Sequence, residues 1–204
     1  MGECGAYFKR SGASRIHLVE AKADLIDRLL DATKARSAPD VSAWHPNREV
    51  ESFMRINADG RWFHQGCEIK RSEMVALFAS LLRCEGQRHF LVTPVEKAVI
   101  EVEDTPFRVV DFELDGCGEK SRLAVCINVD EWVAVRYAGQ LFMQPLPSGE
   151  GACPCVDVRD GLMARFSRAA HFRLADELTE QQGWFGIWSF GVFHRLERAG
   201  QGVA

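Results

Sequence analysis

Residues 91–107, LVTPVEKAVIEVEDTPF, set the tightest limit on what this chain can fold into. Val99 and Val102 flank Ile100, while Glu101 and Glu103 alternate outward, the two-residue rhythm of a strand with one wet face. Pro94 and Pro106 each follow a threonine. A proline cannot donate to a ladder and is confined to strand ends or edges. The stretch therefore predicts a strand ending at Thr93, a charged turn through Glu96 and Lys97, a second strand to Glu103, and a turn at Asp104-Thr105-Pro106. Strands this close in sequence pair antiparallel. This is information about architecture; the chain contains no known catalytic motif.

The flanking sequence extends the pattern. Over 15–36, Leu18, Val19, Leu25, Ile26, Leu29 and Leu30 share one helical face, with Asp24, Asp27, Arg28, Asp31 and Lys34 opposite. That is an amphipathic helix, preceded by a Gly- and Ser-rich tail, which either packs on the body or serves as a partner-binding arm. Residues 53–57 and 61–65 read as strands around an Asp59-Gly60 turn. Ser72 is a good N-cap for a helix carrying Met74, Leu77, Phe78, Leu81 and Leu82 and ended by Gly86. Strands follow at 89–93, 98–103, 107–114, 122–128 and 131–137. The Pro/Gly loop at 144–155 is the expected boundary. Beyond it Leu162, Phe166, Ala169, Ala170, Leu174 and Leu178 keep helical spacing over 160–181, and 183–197 reads as a hairpin of two short strands. The expected fold is α+β: an N-terminal tail and helix (1–38), then two tandem small units (39–138 and 139–204), each an antiparallel sheet packed with a helix. An echo supports the tandem: CEIKRSEMVALF from Cys67 aligns without gaps on CVDVRDGLMARF from Cys155.

With 204 residues, 47% hydrophobic and 26% charged, the chain has the composition of an ordinary globule large enough to bury a core without staples. A net charge of −4 makes it a poor default partner for nucleic acid. No run is long and apolar enough for a membrane span and the N-terminus has no secretory pattern. The seven cysteines are odd in number and irregularly spaced, so reduced thiols and a cytoplasmic location are expected.

Two arginines stand out. Arg71 and Arg159 precede expected helix starts at equivalent points of the echo, and helix N-termini and guanidinium groups both favour anions. Facing one another, they would hold a carboxylate, a phosphate or an acidic peptide, with Glu96, Lys97, His64 and Trp62 shaping the mouth; alternatively each pairs with a structural carboxylate. His64, Glu96 and Asp104 are the acid–base candidates if the protein is an enzyme. Cys153-Pro154-Cys155 could chelate a metal together with a histidine or Cys117, but the one-residue spacing and the absence of a second close pair make this a weak signal. Ser189 lacks the G-x-S-x-G frame, because Ile187 stands where the first glycine belongs.

Taken in order, IxxDGRWFHxGxxIxR (56–71), LFASLLR (77–83), LVTPVEKxxIxVEDTPF (91–107), INVDEWV (127–133), VRDGLMARFSRA (158–169) and the closing IWSFGVFHRL resemble the proteobacterial domain-of-unknown-function family 1285 over residues 40–197. The residues carrying the match include Gly60, Gly66, Thr93, Asn128, Arg159, Ser189 and Gly191. Cys67-Glu68 and Phe190 depart from the family pattern. The resemblance implies an α+β fold of two tandem units and a role in signalling or protein interaction. The resulting expectation is a non-enzymatic module without cofactor or metal, binding an anionic ligand or a protein partner. Reading the 15–36 helix as a docking arm makes a homodimer the other option.

Overall fold

The computed structural model describes residues 39–199 together with Ile26, Asp27, Leu30 and Asp31. The first half begins with a 3-10 turn at Val41–Ala43, then β1 (Arg48–Ile56), β2 (Trp62–His64), β3 (Cys67–Glu68), α1 (Ser72–Ser80), β4 (Leu82–Glu85), β5 (Arg88–Val92) and β6 (Glu96–Val102). The second half holds β7 (Phe107–Asp115), β8 (Arg122–Ile127), β9 (Glu131–Ala134), β10 (Leu141–Pro145), β11 (Ala152–Arg159), β12 (Leu162–Phe166) and α2 (Arg168–Asp176). A small antiparallel sheet closes the chain with β13 (Thr179–Gln181), β14 (Trp184–Ser189) and β15 (Val192–Arg198).

The chain is mostly β, and its two large sheets share one topology. The first runs β3-β2-β1-β6-β5-β4 and the second β10-β11-β12-β7-β8-β9. In each, two three-stranded meanders are joined through a central parallel pair, β1 with β6 and β7 with β12. The sheets are therefore mixed, not antiparallel as expected. The expected pairing rule holds inside each meander, for example β5 with β6 and β7 with β8. It says nothing about the central pair, because long-range pairing leaves no local signal. The Pro/Gly loop at 144–155 spans the connection between β10 and β11, which pair with each other; the sheets divide between β6 and β7.

Two helices expected from apolar spacing are shorter than predicted. α1 ends at Ser80, and Leu82 starts β4, which pairs with β5. The span 160–181 is not one helix: Asp160 and Gly161 have φ of 46° and 82°, form a tight hairpin, and turn β11 back into β12. Only then does Ser167 cap α2, its Oγ accepting from Ala170 N at 3.3 Å. The echo consequently fails as a structural repeat. Val75 to Phe78 are helical, whereas their counterparts Met163 to Phe166 lie on β12. The hairpin expected near the C-terminus is present as β14 and β15.

The N-terminal helix expected over 15–36 falls mostly outside the described residues, and the 1–14 tail falls wholly outside. Ile26, Asp27, Leu30 and Asp31 are helical. Ile26 and Leu30 are buried against Ala124, Trp132 and Ala134 of the second sheet. Among the described residues no helix is long and apolar enough to cross a membrane.

One hydrophobic core runs through both halves, from Met54, Ile56 and Trp62 to Phe107, Val125, Phe166 and Leu196. Polar joints fix the junction. Asp104, between the sheets, accepts two hydrogen bonds from Arg165 at 2.6 Å each, and both side chains are buried. Asn128 Nδ2 donates to Gly60 O at 2.9 Å, clipping the β1–β2 turn onto the second sheet. Gly60 is required there: its φ is 76°, and a Cβ would lie 2.7 Å from Asn128 Nδ2. Ser189 is fully buried, accepting from Leu123 N at 2.9 Å and donating to Val135 O at 2.6 Å, which ties the closing hairpin to β8.

Candidate functional site

The structure does not bring Arg71 and Arg159 together. Arg71 is the N-cap of α1, largely exposed, 3.6 Å from Glu73. Arg159 sits at the end of β11 and reaches the other end of the same helix, donating to Ala79 O at 2.8 Å. Eight residue steps along the helix, about 12 Å at 1.5 Å each, separate Arg71 from Ala79. Arg159 also pairs with Glu131 at 3.1 Å and lies over the Phe107 ring at 5.4 Å. A cation on the last carbonyls of a helix completes hydrogen bonds the helix leaves open, so Arg159 helps seat α1 against the second sheet.

The remaining candidates separate as well. Glu96 opens β6 and lies 3.4 Å from Arg48. Lys97, its neighbour, turns to the outer face of the first sheet, bonded to Glu85 at 2.6 Å and 4.5 Å from the Phe90 ring centroid. Asp104 lies beyond the far end of β6, roughly 20 Å of extended strand from Glu96, and is bound in its buried pair. His64 is exposed at the end of β2. Trp62 belongs to the core at 1% exposure, stacked on Phe78 with centroids 6.2 Å apart. No point lies within reach of His64, Glu96 and Asp104 together.

The thiols are poor nucleophiles. Burial pushes Cys155 up to about 12 and Cys126 up to about 11, and raises Cys153 as well, which holds them as thiols near neutrality. Cys153 Sγ lies 3.8 Å from His171 Nδ1. The described residues contain no cluster of three or more His, Cys, Asp and Glu able to hold a metal.

A cleft does open at the junction of the halves. Its volume is about 360 Å³, and three separate segments build it: Val41, Ser42 and His45 before β1, the outer strand β4, and the turn between β11 and β12. Val41, Leu82 and Leu162 give it an apolar floor; Arg83, Glu85, Arg159 and Asp160 supply charge. Arg83 fixes the first wall by donating to Trp44 O at 2.6 Å and pairing with Glu85. Cys84 lines it as a neutral thiol, its pKa raised by burial and then by Asp157. Of these residues only Arg159 stood out in the sequence. Apolar spacing up to Gly86 places Arg83 and Glu85 in the preceding helix; the alternation Leu82-Arg83-Cys84-Glu85 is the signal that marks them as strand.

No curated protein matches the sequence. A DUF1285 family protein from Silicibacter pomeroyi DSS-3 is similar at 39% identity and TM-score 0.75, over 83% of this chain and 94% of that one. Another from Shewanella baltica OS155 is similar at 27% identity and TM-score 0.50, over 63% of this chain and 94% of that one. The model for the N-terminal domain of the domain of unknown function DUF1285 matches residues 39–105, and that for the C-terminal domain matches 106–196. The two models meet where the first sheet gives way to the second, and the chain belongs to the DUF1285 family.

Proposed function

We propose that the protein is a binding module whose ligand is a small molecule with an apolar body and a single anionic group, held in the cleft between its halves. The observation that carries this reading is the cleft itself. Three segments distant in sequence converge on a cavity of about 360 Å³, within the range typical of small-molecule sites, which favour domain junctions. The charges on its wall balance, Arg83 and Arg159 against Glu85 and Asp160. A polyphosphate would meet as many carboxylates as guanidinium groups, whereas one carboxylate or phosphate monoester can share an arginine and lay its apolar part on Val41, Leu82 and Leu162. The acid–base alternative has no common point for His64, Glu96 and Asp104 to act on.

The test is a thermal-shift screen of the full chain against small carboxylates and phosphate monoesters, with Ser42→Trp beside it. Ser42 is exposed at the cleft, so the indole obstructs the cavity and leaves the core alone. A ligand at a hundred times its Kd adds about 2.7 kcal/mol to stability. The reading expects one chemical class to stabilise the wild type and not Ser42→Trp. A flat screen contradicts it, and so does stabilisation that survives the substitution.

A further inference from the structure

Away from the cleft, the outer face of the first sheet carries a second cavity, of about 580 Å³. It forms at an interruption of the central parallel pair. Glu51 lies opposite Val99 and Met54 opposite Ile100, so β1 carries Ser52 and Phe53 as extra residues. Bulges of this kind re-aim a side chain. The backbone is held on both sides. The Ser52 hydroxyl donates to Val99 O and accepts from Met54 N at 3.1 Å, while Gln65 N donates to Phe53 O at 3.0 Å. Phe53 is thereby fixed at φ 53° with its side chain 68% exposed. An aromatic residue held left-handed and turned to solvent serves no packing purpose.

The lining points to the chemistry of a ligand. Phe53 and Phe63 are its rings, and Val99 contributes apolar surface. Glu51 and Glu101 line it too, with Arg55 as the one cation of the lining; Glu51 also lies near enough to Arg88 to help raise its pKa. The chain already displays one version of the contact: the Arg55 guanidinium lies 4.8 Å from the Phe63 ring centroid and pairs with Glu103. Phe53 has an equivalent face and no cation on it among the described residues. Arg55 is held over Phe63 by Glu103, so a guanidinium arriving on Phe53 would meet a ring face in a lining with two carboxylates against one cation, a combination that favours cations on aromatic surfaces. The cavity is larger than one such side chain and leaves space for the peptide on either side of it.

We propose that this cavity is a docking site for an arginine-bearing segment of a partner protein. The test is an NMR titration of the full chain, following backbone amides, with the blocked peptide Ala-Ala-Arg-Ala-Ala and with butylguanidinium. The proposal expects saturable shifts confined to the bulge and its neighbours on β2 and β6, with tighter binding of the peptide. The double substitution Glu51→Gln and Glu101→Gln, at exposed positions outside the core, weakens binding about tenfold, equivalent to about 1.4 kcal/mol. Phe53→Gly weakens it as well. Absence of localised shifts at millimolar peptide overturns the proposal. Equal affinity for butylguanidinium overturns the peptide partner, and unchanged binding in the glutamine variant overturns the charge argument. None of these outcomes depends on the cleft.

Discussion

The two large sheets have the same strand topology and opposite surroundings. In the second, β8 is buried on both faces: Leu123, Val125 and Ile127 enter the main core, and Ala124 packs under Ile26 and Leu30. Helix α2 covers β7 and β12, with Arg173 bridging to Asp111. In the first sheet, among the described residues, one face reaches the core. On the other, Phe90 is roofed by Arg88 and Lys97, which pair with Glu49 and Glu85, and the bulge at Phe53 stands open. Covering both faces of a sheet produces a scaffold with little freedom to vary. Leaving one face uncovered permits charged surface, backbone strain and exposed aromatics, the features that recognition uses.

The largest effect that can sharpen this contrast lies at the joint between the sheets. Arg165→Leu removes both short hydrogen bonds to buried Asp104 and leaves it only Arg108, 3.6 Å away; the expected cost is about 3 kcal/mol, the low end of the range for breaking a buried pair, and urea denaturation measures it. A loss under 1 kcal/mol would mean the halves do not depend on this joint. Gly60→Ala comes next, at about 2 kcal/mol, from the left-handed φ and the contact with Asn128. Thermal melting reads it, and full stability would show that the turn can detach from the second sheet.

A smaller effect involves pH. His194 is 2% exposed with neither ring nitrogen hydrogen-bonded, and burial lowers its pKa; burial also lowers His89 and His171. A depressed folded pKa means the unfolded chain takes up protons first. Stability is complete above the unfolded value of about 6.5 and falls as pH drops below it. Tm measured against pH is expected to decline over that window, and His194→Leu is expected to flatten the decline. A slope unchanged in that variant would remove His194 from the account.

How much of this was legible in the sequence depends on the range of the interaction. Strands with a wet face, such as 98–103, announced themselves by alternation. The Asp160-Gly161 turn carried the same signal as Asp59-Gly60, but Leu162 and Phe166 also satisfied helical spacing, and a short apolar run does not distinguish the two periods. The left-handed Gln65, Gln182 and Phe190, each preceding a glycine, mark further hairpin turns. Glutamine and phenylalanine carry no turn preference, so the glycine alone could have flagged them. The motif residues Gly60, Asp104, Asn128 and Ser189 join the sheets, and no local pattern separates a joint from a ligand contact or, for Asp104, from an acid–base group. Parallel pairing of β1 with β6, the bulge and the cleft all depend on residues far apart in the chain.

The most direct measurement is the unfolding free energy of Phe53→Gly. If the open face of the first sheet holds strain that packing does not require, glycine relieves the left-handed backbone and sacrifices little buried surface. The variant is then about 0.5–1 kcal/mol more stable than wild type in urea, with an unchanged m value. A loss of 1 kcal/mol or more would make Phe53 a structural residue and contradict the division between a buried scaffold sheet and an open recognition sheet.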